Sequence, residues 1–249
     1  MNSMINLLDS CKISIDKKSN SQYTYNNIAV PRVTEIISKC IHSDSLMYWA
    51  NSLGFKRQSY NKTLSMAADI GSQCHESIDL FIENDSKYDA PYDMNPQSRY
   101  AYESYLKWWN DININNNVKV LYHEYPLICK YFGGTMDGLY EINGKKYIID
   151  YKTSNHVTFR YFLQIAAYRY ILKNELRIDV DGCVILQLSK NDISYNEYVL
   201  NFCIPEHLKY INDCELAFLS MVFSYYNINN IENGFNNITW GNNDSTSLV

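Results

Sequence analysis

The sequence predicts an α/β fold: a helical N-terminal part leading into a mixed sheet flanked by helices. Three observations carry that expectation. Helical patterns run through 44–53, 62–84 and 96–111, and the period then changes to that of strands from residue 118 onward. Asn143-Gly144 joins two β-rich runs, and Asn-Gly is the strongest short signal of a tight hairpin. Residues 158–174 then return to helical spacing, with Phe159, Phe162, Leu163, Ala166, Ala167, Tyr170 and Ile171 on one stripe, before two further strands.

Taken in order, residues 1–20 are polar and weakly patterned and read as a weakly ordered start. Tyr23 to Val30 reads as a short strand ended by Pro31, after which Thr34 is placed to cap a helix running to about Cys40. A polar stretch at 85–95, punctuated by Pro91 and closed by Pro96, separates the later helical patterns. Strands are expected at 118–130, 133–142 and 145–153, then at 182–189 and 195–203. The last helix should run from Pro205, where proline suits a first turn, to about Tyr226. These elements form one domain over 21–228, helical at about 31–113 and sheet-based at about 118–228, with 229–249 as a flexible tail.

The 249 residues, 46% of them hydrophobic, are enough for a sizeable core. Apolar runs such as Val184 to Leu188 are too short to span a bilayer, and Met1 to Cys11 lack the pattern of a secretory leader. The expectation is a soluble intracellular protein with no membrane partner. Seven cysteines, an odd number without C-x-x-C spacing, read as free and mostly buried thiols rather than disulfides or a zinc knuckle. The net charge of -5 argues against a protein that coats nucleic acid, yet it suits a carboxylate-rich site that awaits a metal.

The hairpin turn has a chemical consequence. If Ile142 pairs with Lys145 across Asn143-Gly144, Asp137 falls opposite Asp150 on the same face, with Cβ atoms roughly 4.5–5.5 Å apart. Two ionised carboxylates so placed repel, and a divalent cation reverses that cost. Lys152 emerges on the same face and can orient a water or stabilise charge developing on phosphorus. On these residues alone, an ordinary exposed hairpin with a surface Lys–Asp pair is an equal reading, and a one-residue bulge would break the register.

Further spacings join these. Gly134-x-x-Asp137, Ile149-Asp150-Tyr151-Lys152-Thr153 and Gln164-x-x-x-Tyr168 resemble the active-site motifs of PD-(D/E)XK nucleases of the RecB type. Gly71-x-x-x-His75 resembles that group's histidine motif, and Tyr25 to Ile37 is similar to the opening segment of its phage and mitochondrial genome-maintenance exonucleases. The resemblance implies a restriction-endonuclease-like core. It implies that Asp137, Asp150, His75 and the Tyr151 carbonyl hold one or two Mg²⁺ or Mn²⁺ ions, while Lys152 serves the attacking water. Gln164 and Tyr168 would organise the site or the DNA backbone. Arg160, Gln164 and Tyr168 share one helix face by spacing and so face a phosphate, with Thr153 beside Lys152 as a further substrate contact.

Some relatives carry an iron–sulfur cluster. Here Cys203 and Cys214 are too far apart and no third late cysteine follows, so no cluster is expected. The expected activity is metal-dependent DNA exonuclease, on single-stranded ends or flaps, in replication, recombination or repair, with DNA and proteins of those processes as partners. A structure-specific or restriction-type endonuclease, or a catalytically inactive DNA-binding or assembly subunit, are the alternatives. Glu124 reads either as an extra carboxylate of the site or as a solvated strand residue, and Glu76 and Asp79 as solvated helix positions. Tyr100, Tyr102, Tyr105, Trp108 and Trp109 read as a core stripe before a stacking platform. His42, His123, His156 and His207 carry no signal.

Overall fold

The computed structural model describes residues 23–41, 44–84 and 87–237. The expected weakly ordered start at 1–20 and the last part of the tail, 238–249, lie outside the described residues.

The segment read as one strand is a miniature hairpin: β1 (Tyr23–Tyr25) pairs antiparallel with β2 (Ile28–Val30). Asn26 and Asn27 between them have φ of 50° and 64°, a left-handed conformation that asparagine tolerates better than most residues. Helix α1 (Val33–Cys40) starts one residue before Thr34, and Arg32 rather than Thr34 precedes its first turn. Helices α2 (Asp44–Phe55), α3 (Tyr60–Glu83) and α4 (Pro96–Asn115) follow. Ser59 caps α3 by accepting from the Lys62 N–H, and Asn95 caps α4 by accepting from Gln97, with Pro96 in the first turn.

The sheet comprises β3 (Val118–Ile128), β4 (Gly133–Ile142), β5 (Lys145–Lys152), β6 (Gly182–Leu188) and β7 (Tyr195–Asn201), in that spatial order. Helix α5 (Phe159–Asn174) connects β5 to β6, which run parallel; the other neighbours are antiparallel. The chain is thus an α/β protein with a five-stranded mixed sheet flanked by helices. The final helix, α6 (Pro205–Asn237), extends well past Tyr226. Its asparagine-rich end lacks an apolar stripe strong enough to read, but Lys39 of α1 reaches it, with Nζ 2.6 Å from Asn229 Oδ1 and 3.2 Å from Glu232 Oε2.

Alternation along the strands feeds two apolar layers. Leu139, Ile148 and Ile185 pack with α1, α5 and α6 through Val33, Leu163, Ile171 and Phe218. Tyr140, Ile149, Tyr151 and Leu186 pack on the other face with α3 and α4, through Ile78, Phe81, Tyr105 and Trp108. Of the α4 aromatics, Tyr102, Tyr105 and Trp108 are buried in this core, whereas Tyr100 is exposed. The six described cysteines are free thiols, of which Cys203 is exposed. No described helix is long and apolar enough to cross a membrane.

The parallel pair depends on Gly182. A Cβ there would lie 2.5 Å from the Leu200 carbonyl oxygen and 2.6 Å from the Tyr147 ring, and the first of these is backbone that cannot rotate away. Gly182→Ala is expected to destabilise the protein by about 1–3 kcal/mol, the usual cost of overpacking a core, measured by urea unfolding. An unchanged midpoint and slope would contradict this packing.

Candidate metal centre

The hairpin turn forms as its residues dictate. Asn143 and Gly144 have φ of 51° and 78°, both left-handed, and the register runs from Ile142 opposite Lys145 to Gly138 opposite Ile149. There the pairing stops. Hydrogen-bonded pairs recur at every second position of an antiparallel ladder, so Tyr151 would next have exchanged bonds with Met136. Instead the Tyr151 N–H donates to Asp137 Oδ2 at 2.7 Å, and its carbonyl oxygen lies 3.2 Å from His75 Nε2. Asp137 and Asp150 are the residues immediately beyond the last pair.

Helix α3 brings His75 to this opening. Its Nδ1 lies 3.4 Å from Glu124 Oε1 and 3.7 Å from Asp137 Oδ1. Glu124 reaches the same place from β3, where His123 pairs with Gly138 and Tyr125 with Met136, so that Glu124 stands opposite Asp137. Ligand atoms of His75, Glu124 and Asp137 all fall within 4.8 Å of one another. Burial works to lower the His75 pKa, but Asp137 and the bonded Glu124 carboxylate outweigh it and hold the imidazole up at about 9. One turn earlier, Gly71 passes Thr153 closely enough that an added Cβ would sit 3.6 Å from its Oγ1.

Asp150 is turned toward Lys152 rather than into that group. Its side chain is buried, Oδ2 lies 2.7 Å from Lys152 Nζ, and neither carboxylate oxygen has a well-directed hydrogen-bond donor. The ammonium also stands over the Tyr161 ring of α5, 5.1 Å from its centroid. Burial pushes the Asp150 carboxyl above the usual range, with Lys152 opposing and Asp137 reinforcing the shift. Burial alone would lower Lys152, yet Asp150 and Asp137 raise it, so the ammonium stays charged at neutral pH.

Gln164 and Tyr168 meet each other on α5, with Gln164 Nε2 3.1 Å from the Tyr168 hydroxyl. Burial raises the Tyr168 hydroxyl well above its ordinary value; the Gln164 hydrogen bond opposes the shift and the charges of Asp137 and Asp150 add to it. Gly134 has a physical reason: a Cβ there would lie 2.7 Å from Tyr168 Cε1 and 2.8 Å from its hydroxyl. The interval Gly134-x-x-Asp137 therefore couples a space for Tyr168 to the carboxylate above it.

Two expectations need correction. Arg160 donates to the Ile41 carbonyl at the end of α1, so it ties helices together instead of facing a phosphate. Asp79, read as a solvated position, contacts His123, which the sequence left without signal. Of the two readings of Glu124, the structure places its carboxylate beside His75 and Asp137. Its placement needed the β3–β4 register, which shifts between Val120 and Tyr122 and so could not be counted along the sequence.

The chain matches no protein-family model and no curated protein. It is similar to a solved structure described as "Crystal structure of SSO0001", at 11% identity and a TM-score of 0.33, over 87% of this chain and 82% of that one. A likeness of that size carries no argument about function.

Asp150 yields a stability prediction whose sign follows from its pKa. A carboxyl with a folded-state pKa above its unfolded value stabilises the fold while protonated and loses that contribution as pH rises through the folded value. An amide that stays neutral removes the loss. Asp150→Asn is expected to melt at a higher temperature than the parent at pH 7 in EDTA, with the gap closing toward pH 4. A lower melting temperature for the variant at pH 7 would show that the Lys152 contact outweighs the burial of the charge.

Proposed function

We propose that this chain is a metal-dependent deoxyribonuclease of the PD-(D/E)XK type that degrades DNA from single-stranded ends. The observation that supports it most is the convergence, at one strand opening, of a His75–Glu124–Asp137 group and a buried Asp150–Lys152 pair. Three carboxylates around a broken ladder repel one another, and the cations beside them, Lys152 on Asp150 and His75 near Glu124 and Asp137, offset that repulsion only in part, which leaves room for a metal ion.

The donor set fits a hard divalent cation. Carboxylate oxygens, the Tyr151 carbonyl and one imidazole suit Mg²⁺ or Mn²⁺, and the Asp150 oxygens lack directed donors. His75, Glu124 and Asp137 are the residues that would hold it, and Asp150 would join them by turning away from Lys152. Such an ion, when bound, polarises the phosphodiester and makes water a stronger nucleophile at neutral pH.

The remaining roles fall to the chain's own groups. Lys152, charged and fixed between Asp150 and Tyr161, orients the attacking water and meets the negative charge that grows on the phosphoryl oxygens. Tyr168 and Gln164 hold the α5 side of the opening, with the phenol protonated and able to donate. Entry from an end is supported by the position of α3, which lies across the opening through His75. Its earlier turns, at Leu64 and Ala68, line a groove of about 1470 Å³ with Tyr23, Arg32, Ser38, Tyr225 and Tyr226. Tyr23 of this groove bonds Thr135 at 2.9 Å, two residues along β4 from Asp137.

The test is digestion of a linear single strand and of a covalently closed circle of the same sequence, with Mg²⁺, Mn²⁺ or EDTA. The linear strand should be degraded with metal and the circle should survive. Cleavage in EDTA would end the metal reading, and equal cutting of the circle would replace the exonuclease by an endonuclease. Lys152→Ala should slow cleavage by about 10²–10³-fold, as loss of a charge-stabilising donor does, while Mn²⁺ binding persists. Full activity in that variant would leave the hairpin as ordinary structure.

A further inference from the structure

Glu124 cannot face α3 on an ordinary strand. Successive side chains of a strand point to opposite faces, so His123 and Glu124 should diverge. Both instead meet the same helix: His123 Nδ1 contacts Asp79 Oδ1, and Glu124 Oε1 lies 3.4 Å from His75 Nδ1. His75 and Asp79 are four residues apart on α3 and so share one of its faces. The strand accommodates both by leaving regular geometry. Glu124 has φ of 41°, in the left-handed region that residues with a Cβ rarely adopt, and the β3–β4 register shifts just before, between Val120 and Tyr122. A conformation of this kind persists where surrounding contacts over-determine it, and such positions cluster at functional sites.

We propose that Asp79 and His123 are positioning residues for the metal centre, holding β3 against α3 so that the backbone of Glu124 stays left-handed and its carboxylate is delivered to His75 and Asp137. Neither residue belongs to the ligand group itself. Asp79 and His123 are both part-buried, and together they fix the strand on one side of Glu124 while His75 receives it on the other. Without the outer contact, β3 relaxes to regular alternation, and Glu124 turns away from Asp137. The inference rests on the metal-centre reading above and adds what sets the reach of its third carboxylate.

The experiment is Mn²⁺ titration of the full chain by calorimetry, with circular dichroism and melting curves recorded for each variant. His123→Ala and Asp79→Ala should bind Mn²⁺ about 10–100-fold more weakly while still folded, the range seen when outer partners of metal ligands are removed. His123→Asn should restore much of the affinity, because its amide nitrogen can take the place of Nδ1 toward Asp79. In a Glu124→Gln background, His123→Ala should cost little more, since the residue it positions no longer contributes its charge. A merely structural role would lower the melting temperature of His123→Ala and leave Mn²⁺ affinity unchanged below it, which overturns the proposal. Should His123→Ala fail to fold, Asp79→Ala decides: Mn²⁺ affinity about 10–100-fold weaker in the folded variant supports the positioning role, and wild-type affinity refutes it. Absence of Mn²⁺ binding by the wild-type chain would instead overturn the metal centre itself, and this inference with it.

Discussion

The candidate centre depends on one unfinished pairing. Where β4 and β5 part company beyond Gly138 and Ile149, Tyr151 keeps a peptide N–H and a carbonyl that the ladder no longer uses. Buried backbone polar groups demand partners, so each must be met from elsewhere. Asp137 answers the N–H with its side chain, and His75 stands by the carbonyl. The opening therefore recruits one acid from the sheet and one imidazole from a helix far away in sequence. The carboxylate of Glu124 and the pair of Asp150 with Lys152 then surround the place where the strands separate.

Around that opening the rest of the fold acts as scaffolding of two kinds. On the α4 side a buried chain of phenols links Tyr105 to Tyr140 at 3.1 Å and Tyr140 to Tyr151 at 2.6 Å. This chain anchors the side chain of Tyr151 while its backbone serves the site. On the α5 side, Tyr168 presses into the space that Gly134 leaves and Lys152 lies over Tyr161. The residue that supplies a peptide group and the residue that supplies a charge are thus held from opposite faces of the same strand.

Much of this was legible in the sequence because its rules are local. Asn143-Gly144 specified the turn, and the turn specified the register as far as Gly138 opposite Ile149, one residue short of Asp137 and Asp150. Periodicity located α3, α4 and α5, and the core reading of the α4 aromatics holds for Tyr102, Tyr105 and Trp108 but not for Tyr100. What escaped depended on long-range geometry. Glu124 enters only through a register that an irregularity in β3 displaces, and Asp79 with His123 is a contact between elements more than forty residues apart. Arg160 had the right spacing for the site, but the nearer carbonyl of Ile41 takes its guanidinium. The β1–β2 hairpin was missed because Asn-Asn adopts the left-handed turn that Asn-Gly advertises. The length of α6 was missed because its last turns are held by Lys39 rather than by an apolar stripe.

The separations between these partners also say something about the order of assembly. Glu124 and His75 lie 49 residues apart, and Tyr151 and His75 lie 76 apart. Each such contact closes a long loop, whose entropy must be lost before the contact gives anything back. The β4–β5 hairpin, by contrast, closes across two residues and can form early. A partly folded chain can therefore hold the acidic hairpin before α3 docks against it. The complete His75–Glu124–Asp137 group arrives only with the docking of α3.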